Sequence, residues 1–180
     1  ANIPKAMVAP PKRNMNVFWQ EKCKDSLKEA GFNEVYNYSF ISAEQASLFG
    51  FSENELVELA NPLSKRHKYL SPALICNLTG NVADNLKNFE TINIFEMGKV
   101  FSPQNNGVKE KGRLAGLLTA PRKNDELFFE AKGALEAIFA DMLIFDAWYD
   151  VAQPTPEETK GLVWDLSRSA EVKMREEEIG

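Results

Sequence analysis

The sequence is short of the residues that most often build metal centres and nucleophilic sites. Among its 180 residues there is one histidine, His67, and there are two cysteines, Cys23 and Cys76. A single histidine excludes a histidine-rich metal centre, and a Ser-His-Asp triad would depend entirely on His67. Two cysteines cannot hold a zinc ion alone, and both lie in apolar segments with helical spacing. We therefore expect them to be reduced core thiols of a cytoplasmic protein.

Long apolar runs and excess positive charge are also missing. No apolar run approaches the roughly 20 residues needed to cross a bilayer, and residues 1–11 lack the apolar core of a secretory signal. Lys and Arg total 21 against 26 for Asp and Glu, giving a net charge of -5. Such a chain repels phosphate backbones overall, so any nucleic-acid contact must be local or shared with a partner. A hydrophobic content of 44% and this length favour one domain with a sizeable core.

The two ends of the sequence suggest a piece of a longer polypeptide. Residues 1–13 contain three prolines without periodicity, which predicts an extended arm or a linker remnant before a core domain at 14–180. A final alternating segment, Ala170–Met174, enters a turn whose partner strand has barely begun at Ile179. No initiator methionine opens the chain. We therefore expect a fragment of a longer chain.

Helical and strand patterns follow one another without strict alternation, which indicates an α+β architecture. Helices are predicted over residues 14–31, 42–49, 71–86 and 127–142, and strands over 32–41, 56–60, 91–101, 113–119, 143–149 and 170–174. The strands at 91–101 and 113–119 should form a central antiparallel pair joined by a surface hairpin.

Helix ends are marked by residues with strong positional preferences. Asn14 is a predicted N-cap, and Gly31 is predicted to end the same helix. Ser71 before Pro72 predicts the start of another helix. In the 127–142 helix, Phe128 is among the residues predicted to face inward.

Four ordered blocks give the sequence a specific signature. They are GFNEVYNYSF at residues 31–40, NPLS at 61–64 with YLSPALI at 69–75 and NLK at 85–87, IFEMGKVF at 94–101, and LFFEAKG at 127–133. In this order the blocks closely resemble the synthetase-like core of phenylalanyl-tRNA synthetase beta subunits. They extend over most of residues 1–140, and the tail beyond Ile144 matches less distinctly.

The resemblance implies a class II aminoacyl-tRNA synthetase-like fold, an antiparallel sheet flanked by helices. It also implies a domain that is not an enzyme by itself and holds no cofactor. Its partner would be a catalytic alpha subunit in a cytoplasmic heterotetrameric ligase of protein biosynthesis, which uses ATP and magnesium to attach phenylalanine to tRNA(Phe).

The same resemblance predicts where the subunit interface lies. The first helix and the strand after it correspond to the dimer-forming motif of class II enzymes, so Phe18, Trp19, Tyr36 and Tyr38 are candidate interface anchors. The alternative is that these aromatic residues pack on the domain's own sheet. An exposed face of this kind could also make the isolated domain a homodimer.

Catalysis is not expected, because aminoacyl activation needs cations aimed at the triphosphate. In the resemblance, the position of one such arginine is occupied by Ser102, whose hydroxyl cannot replace a bidentate guanidinium. A later glycine-rich motif with a second arginine is not found before Gly180. The alternative function is an ATP-dependent ligase or a free-standing synthetase paralogue with a remodelled site.

Several charged residues and glycines have competing explanations. Lys65, Arg66, His67 and Lys68 could contact tRNA, but a short charged loop is more often solvated surface. For His67 we prefer a surface role, since no nucleophile is obvious nearby in sequence. Glu96 could bind a metal, but a carboxylate facing a neighbouring Arg or Lys is favoured. Two glycines, Gly98 and Gly133, are predicted to permit close packing.

Overall fold

A computed structural model of the protein describes residues 11–105, 107–121, 124–151, 165, 169–174 and 177–178. The helices are α1 (Met15–Glu29), α2 (Ala43–Leu48), α3 (Ile75–Asn85) and α4 (Asn124–Asp141), with two 3-10 helices, η1 (Glu53–Glu55) and η2 (Lys65–His67). The strands are β1 (Asn33–Glu34), β2 (Phe40–Ile41), β3 (Val57–Glu58), β4 (Tyr69–Leu70), β5 (Ile92–Gln104), β6 (Gly107–Thr119), β7 (Ala147–Val151), β8 (Ala170–Met174) and β9 (Glu177–Glu178). The segments at 1–10 and 179–180, on which the predictions of an arm and of an unfinished hairpin depend, lie outside the described residues.

Three small sheets are flanked by the helices, which confirms the α+β prediction. The strand orders are β1-β5-β6, β2-β4-β3 and β7-β8-β9. The predicted central pair is present as an antiparallel hairpin, β5 with β6, whose register runs from Ile92 opposite Thr119 to Gln104 opposite Gly107. Among the described strand pairs, β1 with β5 is parallel and the others are antiparallel.

The single strand predicted over residues 32–41 is wrong. β1 ends at Glu34, and the chain pairs again only at β2, which contacts β4 in a different sheet. The Val35 N–H donates to the Phe95 carbonyl at 2.9 Å, but the Asn37 N–H donates to the Glu96 side chain instead. Because a side-chain carboxylate takes the place of a ladder carbonyl, the strand pairing stops at this point.

The helix predicted to begin at Ser71 begins at Ile75. Ser71 is buried, and its backbone connects two parts of the fold: its N–H donates to Ser39 and its carbonyl accepts from Phe101, both at 3.0 Å. Its hydroxyl donates to the Ala73 carbonyl at 2.9 Å. Ser71 therefore belongs to an extended segment, and its hydroxyl does not cap α3.

Other helix ends follow the sequence signals. The Asn14 carboxamide oxygen accepts from the N–H groups of Asn16 and Val17 at 3.1 and 3.4 Å, which confirms the N-cap of α1. The helix ends before Gly31, which has φ +87°, a conformation that glycine adopts without strain.

The core consists of three apolar clusters. One lies between α1, α4 and β5 around Phe95, and another lies around Tyr69 in the β2-β4-β3 sheet. The third, beneath α3, consists of Leu78, Val82, Ile92 and Ile94. The described helices include none with both the length and the apolar character required to cross a bilayer.

The structure confirms the predicted state of the two cysteines and corrects the inward face of α4 and the start of the next strand. Cys23 and Cys76 are buried free thiols, as predicted. Phe128 does not face inward but is 41% exposed, and among the described side chains of α4 those of Ala134 and Ile138 are buried. The strand predicted over 143–149 begins only at Ala147, because the chain first closes the end of α4.

Candidate subunit interface

The two halves of α1 have different surroundings. Near its C-terminal end, Cys23 and Leu27 are buried in the cluster that includes Ile138 of α4. Near its N-terminal end, Met15 and Val17 are 49% and 50% exposed. The beginning of α1 therefore presents apolar surface that the described part of the chain does not cover.

Phe18 and Trp19 lie on this N-terminal half and are half-buried. Their rings meet edge to face with centroids 5.0 Å apart. The Arg13 guanidinium carbon lies 3.8 Å from the Phe18 ring centroid, a cation–π contact that covers one face of that ring. These contacts lie within α1 and at Arg13, so both the packing of this pair on the domain's own sheet and its place in an interface stay predictions.

Tyr36 and Tyr38 are exposed to a much greater extent, at 75% and 79%. The Lys24 ammonium lies 5.6 Å from the Tyr36 ring centroid, which places this ring beside α1. The Tyr38 ring meets His67 edge-on with centroids 6.2 Å apart. Both tyrosines thus project outward on either side of Asn37, and their role as interface anchors also stays a prediction.

Asn37 points inward because three hydrogen bonds hold it, and a fourth holds the neighbouring Tyr38. Its backbone N–H and its side-chain Nδ2 donate to Oε1 and Oε2 of Glu96, both at 2.9 Å. Asn81 of α3 donates through Nδ2 to Asn37 Oδ1 at 3.0 Å. Asn77, one turn earlier, donates to the Tyr38 carbonyl at 2.9 Å. We call Asn37, Asn77, Asn81 and Glu96 the asparagine clamp.

The clamp corrects the prediction for Glu96. Within the described residues, no Arg or Lys forms an ion pair with this buried carboxylate, which accepts from the backbone N–H and the side-chain amide of Asn37. The favoured explanation failed because Asn37 reaches the carboxylate with both its backbone and its side chain. In the described part of the chain, no group of three or more His, Cys, Asp or Glu residues is arranged to hold a metal ion.

Sequence reasoning missed the asparagines of the clamp, although a signal for them exists. Asn77, Asn81 and Asn85 recur every four residues, so they lie along one face of α3. A polar stripe of this kind beside apolar positions indicates buried hydrogen-bond partners. Asn37, which lies between two tyrosines in the sequence, is the partner of this face of α3 through its hydrogen bond with Asn81.

Ion pairs fix the start of the 33–38 segment to α1. The Lys24 and Lys28 ammonium groups lie 2.7 and 3.4 Å from the Glu34 carboxylate. Burial alone would raise the pKa of Glu34, but hydrogen bonds with Lys24, Tyr36 and Lys28 outweigh burial and hold that pKa below its usual value. The hydrogen bond with Glu34 likewise raises the pKa of Lys24.

The basic segment at 65–68 divides into two parts. Lys65 and Arg66 are exposed on η2, as expected for solvated surface. Lys68 instead forms an ion pair and a hydrogen bond: its ammonium lies 3.3 Å from the Glu58 carboxylate and donates to the Tyr69 hydroxyl at 2.9 Å. Its pKa is raised, first by the hydrogen bond with Tyr69.

His67 has a hydroxyl neighbour that the sequence argument overlooked. The Ser64 Oγ lies 3.2 Å from His67 Nδ1, and the half-buried ring also meets Phe40 edge-on. Within the described residues, no carboxylate is hydrogen-bonded to this ring, so the third group of a triad is not found there. The Ser64–His67 contact spans one turn of η2 and serves local structure.

The position at which the resemblance expects an arginine is a surface position. Ser102 is exposed on β5, and with Phe101 and Pro103 it lines an open cavity of about 420 Å³.

The two glycines that were predicted to permit close packing differ from each other. A Cβ on Gly98 would lie 3.1 Å from Leu74 Cδ2, which confirms close packing there, whereas a Cβ on Gly133 would meet no atom within 4 Å, so that prediction is wrong.

The comparisons with known proteins agree on one family. The model of the phenylalanyl tRNA synthetase beta chain CLM domain matches residues 1–180. The chain is 28% identical over 193 aligned residues to the phenylalanine–tRNA ligase beta subunit of Fusobacterium nucleatum, covering 100% of this chain and 23% of that protein. It is 32% identical over 137 residues to the beta subunit of Desulfotalea psychrophila, covering 67% of this chain and 17% of that protein.

Solved structures agree on the fold. A pyrrolysyl tRNA synthetase, Desulfitobacterium hafniense PylSc, superimposes with a TM-score of 0.71 at 16% sequence identity, covering 92% of this chain and 57% of that one. A second structure of the enzyme from that organism gives a TM-score of 0.67. The fold is thus that of class II synthetases, and the chain belongs to the family of phenylalanyl-tRNA synthetase beta chain CLM domains.

Proposed function

We propose that this chain is the non-catalytic core of a phenylalanine–tRNA ligase beta subunit and that it scaffolds the catalytic alpha subunit. The aromatic face that would contact the alpha subunit consists of Phe18, Trp19, Tyr36 and Tyr38. In this proposal ATP and magnesium are used by the whole cytoplasmic complex, and tRNA(Phe) is engaged through that complex. The domain itself holds no cofactor.

One observation carries the proposal: the backbone that bears two exposed tyrosines is held by hydrogen bonds of the asparagine clamp, which includes the buried Glu96. Exposed aromatic residues that are fixed in place lose little conformational entropy on binding, which makes them effective interface anchors. The asparagine clamp supplies this preorganisation for Tyr36 and Tyr38. The exposed beginning of α1 supplies further apolar surface for the same partner.

Co-purification with a phenylalanyl-tRNA synthetase alpha subunit tests the scaffold role. We expect a single size-exclusion peak containing both chains, and loss of that peak in a Tyr36→Ala/Tyr38→Ala variant. Truncating two central anchors weakens binding by about 2 kcal/mol or more, roughly 30-fold. A Phe18→Glu/Trp19→Glu variant places charge on the α1 part of the face and should also prevent assembly.

The matched control is Phe145→Ala, which removes an aromatic ring that is 82% exposed outside this face. It should assemble as the unaltered chain does. If the tyrosine variant and the Phe145 variant assemble equally well, the aromatic face is not the interface. If the chain alone forms a dimer that the alpha subunit does not dissociate, self-association replaces the scaffold role.

The non-catalytic part of the proposal has its own test. Calorimetric titration of this chain with ATP and magnesium should give no measurable heat of binding, because Ser102 supplies no cation for the triphosphate. Micromolar binding that is lost on mutation of residues around Ser102 would instead support a remodelled synthetase.

A further inference from the structure

A small polar cavity lies behind the exposed tyrosines. Its volume is about 150 Å³, and its lining includes Asn37, Tyr38, Asn77, Glu96 and Gly98. A cavity of about this size holds a molecule of roughly six heavy atoms. Gly98 helps to keep it open, because a Cβ there would lie 3.1 Å from Leu74 Cδ2 and 3.9 Å from Glu96 Oε1.

The cavity wall carries a buried carboxylate whose described partners are uncharged. Glu96 is 6% exposed, and each of its oxygens accepts one hydrogen bond from Asn37. Within the described residues, no Lys, Arg or His forms an ion pair with it. An ionised carboxylate can accept about four hydrogen bonds, so both oxygens retain capacity toward a ligand. A buried charge without a counter-charge favours a cationic occupant.

The remaining lining suits a group that donates several hydrogen bonds. Asn77 uses its Nδ2 to bind the Tyr38 carbonyl, and its Oδ1 has no partner in the described part of the chain. Tyr36 and Tyr38 also line the cavity, and aromatic rings attract ammonium groups through their faces. The one cation of the lining, Lys99, is paired with Glu110 on β6 at 2.5 Å.

We propose that this cavity binds the ammonium group of a small primary amine. The ammonium N–H groups would donate to Glu96 and Asn77, and the short aliphatic part would lie against Leu74 and the tyrosine rings. The ligand contributes the positive charge that the buried carboxylate lacks. The site adjoins the proposed subunit interface, because Tyr36 and Tyr38 line it, but binding requires neither an alpha subunit nor catalytic residues.

Titration followed by nuclear magnetic resonance tests this site on the chain itself. Propylammonium chloride is added at constant ionic strength while the backbone and side-chain amide signals of Asn37 and the amide signal of Gly98 are recorded. We expect saturable shifts of these signals. Tetramethylammonium carries the same charge but has no N–H donor, so it should leave them unchanged.

Two variants make the test specific. Gly98→Ala adds one methyl group to the cavity and should weaken propylammonium binding at least tenfold, and Glu96→Gln should abolish it. Lys111→Gln, a control at an exposed position of β6 outside the cavity lining, should bind as the unaltered chain does. The proposal is overturned if no saturable shift occurs, if tetramethylammonium acts equally, or if Gly98→Ala binds as the unaltered chain does.

Discussion

Glu96 shows how one side chain can redirect a strand. In a regular ladder the Asn37 N–H would bond to a backbone carbonyl, but here it bonds to the Glu96 carboxylate. The chain therefore leaves β5 after Val35 and places alternate side chains on opposite sides. Tyr36 and Tyr38 point outward as a consequence of the same hydrogen bonds that turn Asn37 inward.

Replacing Asn37 by alanine tests this arrangement at the residue scale. The variant leaves Glu96 Oε2 and the Asn81 amide without their partner, and an unsatisfied buried polar group costs about 1–3 kcal/mol. Urea denaturation should show this loss in the free energy of unfolding. Asn85→Ala is the control, since the exposed Asn85 donates to the Asn81 carbonyl within its own helix. Equal effects of the two substitutions would contradict a special role for Asn37.

A substitution at Leu143 should raise the free energy of unfolding, whereas Asn37→Ala should lower it. Leu143 closes α4 with φ +59°, and the bonds Leu143 N–H to Ala140 O (3.1 Å) and Ile144 N–H to Phe139 O (2.8 Å) form a Schellman motif. Because the left-handed conformation costs a non-glycine residue roughly 1–2 kcal/mol and this side chain is exposed, Leu143→Gly should stabilise the protein by about 1 kcal/mol. A lower thermal midpoint in Leu143→Gly than in the unaltered chain would contradict this reading.

Cys76 should be unreactive in the folded protein. Burial raises the pKa of its thiol from 9.0 to about 11, so the nucleophilic thiolate is scarce at neutral pH. A thiol reagent should label it only after unfolding. Since its folded pKa exceeds its unfolded pKa, the associated stability is complete below pH 9 and is lost as pH rises toward 11. Cys76→Ser should reduce that alkaline dependence.

At the scale of elements, the Glu34 ion pairs join β1 to the C-terminal half of α1. Glu34→Gln should lower the free energy of unfolding by about 1 kcal/mol at neutral pH. The folded pKa of Glu34 is lowered, so its contribution is present above the unfolded pKa and is lost as pH falls through the folded pKa. The difference from the unaltered chain should therefore shrink as pH falls through the lowered folded pKa of Glu34 and vanish below it.

The control for this pair is Asp25→Asn. The Asp25–Lys28 pair is 3.9 Å long with an exposed carboxylate, so removing it should change stability by less than about 0.5 kcal/mol. A Glu34 effect that is constant from acid to neutral pH would show that packing, rather than charge, is what the substitution removed.

Local signals in the sequence predicted some elements and not others. The cap at Asn14, the stop at Gly31 and the β5–β6 hairpin depend on neighbouring residues, so the sequence contained enough information to predict them. The extended segment at Ser71 and the break after Glu34 depend on contacts with distant residues, namely Phe101 and Glu96. Propensity cannot show such contacts, because tertiary hydrogen bonds override local preference.

In the candidate site too, features that depend on local sequence could be predicted, and features that depend on distant contacts could not. Tyr36 and Tyr38 could be chosen from the resemblance and their aromatic character, and both prove to be exposed. The asparagine spacing in α3 signals one part of their support, but the partners of those asparagines could not be predicted, since the clamp joins three separated segments. Phe18 and Trp19, chosen by the same argument, are half-buried; their rings contact each other edge to face, and Arg13 covers one face of Phe18.

Over the whole molecule, exposed apolar side chains collect in more than one place. The tyrosines and the beginning of α1 form the face that we propose for the alpha subunit, while Phe129 and Phe145 are exposed elsewhere, at 66% and 82%. The chain spans 23% of its Fusobacterium relative and 17% of its Desulfotalea relative. Other segments of a whole beta subunit therefore provide candidate partners for the second set.

Hydrogen–deuterium exchange with and without an alpha subunit measures directly which face is covered. The scaffold account predicts slower backbone exchange at residues 15–19 and 36–38 in the complex, with little change in α4 and β7. Protection confined to the region of Phe129 and Phe145, with residues 36–38 exchanging as in the free chain, would contradict it.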